Sequence, residues 1–189
     1  MARPSILYVI PPVGGTPASF TLPRLRRHGD VHALTVGTPA AAVDPVLYEQ
    51  CASVTCVGLD APMPSTIVAE ARATKAEAVL TLSETGIVAV AEACEQLGLR
   101  GPSPGVLASR DKVLMRERWR EAGLPQPAFV PVSSSDDLVA AARRLRRPFL
   151  LKPSWLAGSL AQVLVEDGSD LDAAWQRATE ALDRVGRAG

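Results

Sequence analysis

The stretch with the most chemical content is Arg147-Pro148-Phe149-Leu150-Leu151-Lys152-Pro153, followed by Ser154-Trp155-Leu156-Ala157-Gly158-Ser159. An ammonium group at the end of a rigid element, beside a loop of small residues, can neutralise and wrap a phosphate chain. Lysine supplies a compact point charge, and the loop around Gly158 and Ser159 supplies backbone N–H donors. An ordinary hairpin with a lysine at its exposed end accounts for the same residues. Two other segments carry groups that can meet a small substrate. Pro12-Val13-Gly14-Gly15-Thr16 offers close backbone approach at Gly14 and Gly15, and Ser83-Glu84-Thr85-Gly86 offers a carboxylate. Glu84 can face a substrate amine, or it can simply open a helix, where a negative charge suits the dipole. Neither segment holds a GxGxxG, so the dinucleotide fingerprint is absent. Cys51, Cys56 and Cys94 form no CxxC pair, and His28 and His32 are the two histidines. Such a set argues against zinc and for buried thiols in a reducing cytoplasm.

These residues need elements to hold them. Ile6 to Ile10 is a continuous apolar run of the kind found in parallel strands covered on both faces. A helix is expected from about Ala18 to Arg27, a strand over Val31 to Val36, a short helix over Pro45 to Gln50, and a strand over Val54 to Leu59. Ser65 is a fair N-cap for a helix through Lys75. Ala78 to Leu82 reads as a fourth strand and Glu84 to Leu97 as its helix. Strand and helix thus alternate four times, and a parallel doubly wound α/β sheet is the economical fold. In such sheets ligands sit past the carboxyl ends of the strands, where the Gly14–Gly15 and Glu84 loops fall. The breaker-rich Gly98-Leu99-Arg100-Gly101-Pro102-Ser103-Pro104 marks a boundary, giving regions 1–104 and 105–189. The second region reads as a helix from Ser109 to about Ala122, then β-α-β-β-α. Its strands are Ala128 to Val132, Phe149 to Leu151 and Val163 to Val165. One helix runs from Ser135 to Leu145 and another from about Asp170 to Val185.

Composition narrows the function. The chain has 189 residues, 47% hydrophobic and 21% charged, with a formal net charge of zero. That balance describes a globular domain and gives no support to a nucleic-acid or membrane partner. Arg24 to Arg27 and Arg143 to Arg147 sit late in expected helices, where cations suit the dipole and the solvent. No apolar run approaches a membrane span, and a cytoplasmic location is expected.

With these residues in view, "LGLRGPSP", "SRDKVLMRERWREAGLPQPAF" and "RPFLLKPSWLAGSL" together resemble the ATP-grasp superfamily of carboxylate–amine ligases, with an L-amino-acid ligase as the preferred subclass. The resemblance implies a pre-ATP-grasp α/β domain over 1–104, then a linker helix and a small α+β lid over 105–189. It implies ATP and Mg²⁺ as cofactors, with small carboxylate and amine substrates joined through an acyl phosphate. Lys112 matches the lysine of the family's "DK" helix and Lys152 that of its "KP" strand, both phosphate contacts. Gly158 and Ser159 match part of the loop that covers the β- and γ-phosphates. Of 20 basic residues three are lysines, Lys75, Lys112 and Lys152, so two of the three fall on matched positions.

Departures from the pattern bear on activity. Leu156 and Ala161 stand where the family's loop has small residues or glycine. The resemblance also places the magnesium ligands, the ribose-binding acid and the acyl-phosphate arginine beyond residue 189. Asp167, Asp170, Asp172 and Glu180 read as solvated charges rather than substitutes. The expectation is therefore the N-terminal portion of a ligase, completed by a C-terminal half on the same or a partner chain, with a homo-oligomer also compatible. The alternative is a non-catalytic ATP-grasp-derived binding or assembly module, and a third reading is an unrelated α/β binding domain.

Overall fold

The structure is a computed structural model describing residues 2–12, 16–102, 105–156 and 159–188. The chain divides into two compact units after Val106.

The first unit is built on β1 (Ser5–Ile10), β2 (Asp30–Val36), β3 (Ser53–Val57) and β4 (Ala78–Leu80). All pairings are parallel, in the order β3-β2-β1-β4. Helices α1 (Ala18–Leu25) and α2 (Pro45–Gln50) lie on one face, α3 (Met63–Ala73) and α4 (Ile87–Leu97) on the other. The alternation of β1 feeds both cores. Leu7 and Val9, fully buried, join Leu34, Ile67 and Val90, while Tyr8 joins Leu22, Ala33 and Leu47. Burying both faces of the central strands β1 and β2 explains why the sequence shows continuous apolar runs there instead of alternation. Helix α4 ends on Gly98 at φ +65°, a left-handed cap that a side chain would disfavour.

Two expected helix starts shift, each for a local reason. Helix α3 starts at Met63 and is preceded by Pro62, so Ser65 is no N-cap; it lies in the first turn and its hydroxyl donates to Pro62 O at 2.9 Å. The fixed φ of Pro62 and Pro64 suits a helix start and sets it earlier. Helix α4 starts at Ile87 instead of Glu84. Ser83 and Thr85 hydrogen-bond each other at 2.9 Å, and Gly86 N–H donates to Ser83 O, which makes a turn of the segment. The thiols are not uniformly buried: Cys94 is, whereas Cys51 and Cys56 are half-buried.

Helix α5 (Val106–Arg110), which starts on the last residue of the first unit, and α6 (Lys112–Glu121) replace the single helix expected from Ser109. Asp111 divides them, its carboxylate accepting from Val113 N–H at 2.8 Å and Leu114 N–H at 3.3 Å as the N-cap of α6. The strand expected over Ala128 to Val132 is not formed. Pro127 and Pro131 remove ladder donors at both ends of it, and β5 (Phe149–Leu151) pairs instead with β6 (Val163–Val165) alone. That pair is antiparallel, with Leu150 opposite Leu164. It packs with Leu138 of α7 (Ser135–Ala142) and with Ala174 and Ala178 of α8 (Leu171–Ala188). The second unit is thus α-α-α-β-β-α, not a helix followed by β-α-β-β-α.

Candidate functional site

Strand β5 is a three-residue lever. Leu151 faces the core of the second unit and is buried, while Leu150 and Lys152 on either side of it are exposed. By the two-residue period of a strand, Leu150 and Lys152 share the solvent face. Leu164 stands directly across from Leu150 on the same face, and the two are 50% and 49% exposed. Trp155 and Leu160, in the connection to β6, are exposed as well. The exposed Lys152 thus follows directly on a strand whose outer face is apolar at Leu150 and Leu164, whereas the outer face of a solvated hairpin is polar.

Lys112 reaches the same connection. Its backbone N–H donates to Ser154 O at 3.0 Å. Its ammonium donates to Ser154 O at 3.2 Å and to Leu156 O at 2.5 Å. The structure thus places Lys112 against the segment that begins two residues after Lys152, although 40 positions separate the two lysines in sequence. A cation in the first turn of a helix opposes the helix dipole. The carbonyl oxygens of the loop offset that here, and an anion would do so more strongly.

The loop has an unusual backbone. Ser159 and Ala161 have φ of +59° and +53°, the left-handed region that favours glycine. This gives a physical reason for the glycine expected at 161, since the backbone takes the glycine-like shape with alanine in place. Gly158 lies outside the described residues, as do Gly14 and Gly15.

In the first unit, Glu84 is exposed in the turn between β4 and α4. The buried Ser83 takes Thr81 Oγ1 as acceptor for its N–H at 3.1 Å. A Cβ on Gly86 would stand 2.7 Å from Pro11 Cγ, so this turn lies against the end of β1. The β1/β4 junction is where the strand order reverses, the place such sheets hold ligands. A cleft of about 420 Å³ opens elsewhere, between the ends of β2 and β3, beside Gly37, Thr38, Cys56 and Leu59. Among the described residues no charged side chain lines it. Among the described residues no group of three or more His, Cys, Asp or Glu side chains could hold a metal ion, and no helix is long and apolar enough to cross a membrane.

Sequence reasoning assigned no role to Arg110, Leu150 or Leu164. The guanidinium of Arg110 donates to Trp155 O at 3.2 Å. Nothing short of the fold pairs residues 45 positions apart. The two leucines were legible in principle, as apolar residues out of phase with Leu151 and Val165.

No protein-family model matches the chain. Over 113 residues it is 34% identical to the alanine–anticapsin ligase of Bacillus subtilis (strain 168), covering 58% of this chain and 24% of that one. Over 89 residues it is 33% identical to the D-alanine–D-alanine ligase of Pseudomonas entomophila (strain L48), covering 46% and 28%. The chain spans about a quarter of the length of these curated relatives. Its fold is similar to that of an L-amino acid ligase from Bacillus licheniformis, with a TM-score of 0.71 at 19% identity, covering 95% of this chain and 43% of that one. It is also similar to the biotin carboxylase–β-γ-ATP complex from Campylobacter jejuni, with a TM-score of 0.68 at 19% identity, covering 94% and 41%. These relatives and neighbours are ATP-grasp enzymes, so the resemblance read from the three sequence segments is borne out, and with it the α/β class with a parallel sheet and a small antiparallel one.

Proposed function

We propose that this chain supplies the leading α/β domain and the nucleotide lid of an ATP-dependent carboxylate–amine ligase that joins amino acids through an acyl phosphate. The observation that carries the reading is the meeting of Lys112 with the loop that Lys152 begins. The ammonium of Lys112 seats on the loop that follows Lys152 in the chain, and that loop has left-handed backbone at two non-glycine residues. The residues fit a nucleotide. Lys112 and Lys152 would neutralise phosphate oxygens, the loop of Gly158 and Ser159 would cover them, and Leu150 with Leu164 would give a flat base an apolar surface. ATP, when bound, supplies the phosphoryl group that activates the carboxylate, with magnesium as its counter-charge. What this chain's residues contribute is position and charge, which is most of what phosphoryl transfer asks of a protein.

Glu84, with Gly14 and Gly15, is assigned to the substrate side, where a carboxylate would hold a substrate ammonium group. The magnesium ligands, the acyl-phosphate arginine and the ribose contact are assigned to residues outside these 189, on the same polypeptide or a partner.

Calorimetric titration with the magnesium complex of a non-hydrolysable ATP analogue tests the reading. The chain is expected to bind it, and Lys152→Ala is expected to weaken binding at least about tenfold, since a charge-assisted contact of this kind contributes about 1.5–3 kcal/mol. No heat of binding from the unaltered chain, or equal affinity in Lys152→Ala, would overturn it. Binding that persists without turnover once a completing half is supplied would favour the assembly-module alternative.

A further inference from the structure

We infer that Arg110 is a positioning residue for the nucleotide loop, acting through the main-chain carbonyl of Trp155; the role rests on the nucleotide reading above. Three consecutive carbonyls, Ser154 O, Trp155 O and Leu156 O, are each held from one elbow of the chain. Lys112 takes the first and third, with its ammonium at 3.2 and 2.5 Å, and Arg110 takes the middle one at 3.2 Å. Successive carbonyls point in different directions, so no single short donor group can gather all three. A compact ammonium straddles the outer pair, and a longer planar guanidinium reaches the one between.

The elbow is itself fixed. Arg110 closes α5 and Lys112 opens α6, while Asp111 between them is pinned by its two N-cap hydrogen bonds. The backbone N–H of Lys112 adds a fourth tie, to Ser154 O at 3.0 Å. A phosphate arriving at Lys112 competes with Ser154 O and Leu156 O for the same ammonium hydrogens. The Arg110–Trp155 contact is not part of that competition. Arg110 therefore keeps the loop seated beside Lys152 while Lys112 turns towards the anion, so the loop need not be ordered anew at each binding event.

The test uses the full chain with Arg110→Ala, Arg110→Lys and, as a charge control, Arg118→Ala, whose side chain is exposed on α6 beside Glu121. Two quantities are read: nuclear relaxation order parameters of the Trp155 and Leu156 amides with the analogue bound and without it, and the Kd of the magnesium-bound non-hydrolysable ATP analogue. In Arg110→Ala the order parameters with the analogue bound are expected to fall from about 0.85 towards 0.6 or below, the range of mobile backbone. The Kd is expected to rise roughly three- to tenfold, as for one exposed charge-assisted hydrogen bond. Arg110→Lys should recover part of both and Arg118→Ala should change neither. If Arg110→Ala melts below the titration temperature, the comparison of Arg110→Lys with Arg118→Lys decides. Unchanged order parameters in Arg110→Ala, or equal weakening by Arg118→Ala, overturn the inference. A loosened loop in a chain that binds no analogue even unaltered sinks the nucleotide reading and the role with it, though the contact itself stands.

Discussion

Replacing Ala161 by glycine is expected to stabilise the second unit, whereas the same substitution at Ala140 destabilises it. Ala161 has φ +53°, and Ala140 is an exposed residue of helix α7. A residue with a Cβ in the left-handed region carries about 1–2 kcal/mol of steric penalty. Glycine removes that penalty but gives back roughly 0.5–1 kcal/mol by loosening the unfolded chain. The net at Ala161 is a gain of about 0.5 kcal/mol. At Ala140 no strain is relieved, and alanine to glycine in a helix loses about 1 kcal/mol. The unit that follows Val106 has 83 residues, 189 less 106. For a unit of that size 1 kcal/mol moves the midpoint by about 4–8 °C. Ala161→Gly should therefore raise the unit's melting transition by about 3 °C and Ala140→Gly should lower it by about 6 °C, from the same ratio. Differential scanning calorimetry on the two variants and the parent reads both. If Ala161→Gly lowers the transition as far as Ala140→Gly does, the loop backbone is not glycine-like, and the account of the family's glycine at this position fails.

The remaining predictions concern one helix cap and two titrating groups. Ser134 caps α7 by accepting from Asp137 N–H at 3.1 Å, and Ser134→Ala should lose about 1 kcal/mol in urea unfolding. The carboxylate of Asp137 accepts from Ser133 N–H at 2.9 Å; this bond first, and the Ser134 side chain second, hold its pKa below the usual 3.8. Its contribution to stability is thus present above about pH 3.8 and lost as pH falls through the lower folded value, so Asp137→Asn should flatten the acid limb of the stability curve. Burial pushes the Cys51 thiol up to about 11, against a smaller opposing pull from Arg26. Iodoacetamide at pH 8.5, followed by mass spectrometry, should label Cys51 far more slowly in the folded chain than in urea. The stability linked to this thiol is full below about pH 9 and lost as pH rises through 11. Equal labelling rates in the two states would refute the burial argument.

The first unit was largely legible because its signals are local. Apolar runs bounded by Pro, Gly and Asp locate β1, β2 and α2 to within a residue, and their alternation dictates a parallel sheet. The misreadings came where two local signals competed. Ser65 looked like a cap, but Pro62 and Pro64 started α3 earlier. Glu84 looked like a helix start, but the hydroxyls of Ser83 and Thr85 closed a turn first. Ala128 to Val132 had strand composition and no partner, and composition does not reveal partners. Lys112 and Lys152 were singled out as residue types. The seating of Lys112 on the loop carbonyls was not legible, since it depends on how α6 docks on the β5–β6 connection. The same holds for Arg110, whose contact is with a backbone oxygen and leaves no trace in the identity of the residue it touches.

The position of β1 at the heart of the first unit makes its neighbourhood intolerant of small changes in chain length. Because Leu7 and Val9 serve one core and Tyr8 the other, a single residue inserted within β1 would turn the strand over. The phenol would be pressed among Ile67, Val90 and Cys94, and a leucine would land where Tyr8 now packs. Loop insertions, by contrast, add only a slowly growing closure entropy. A scan of one-residue insertions should therefore find a sharp forbidden window across 6–9. Tolerance should return in the turn around Ala61, an exchange of severity that no substitution at the same positions would reproduce.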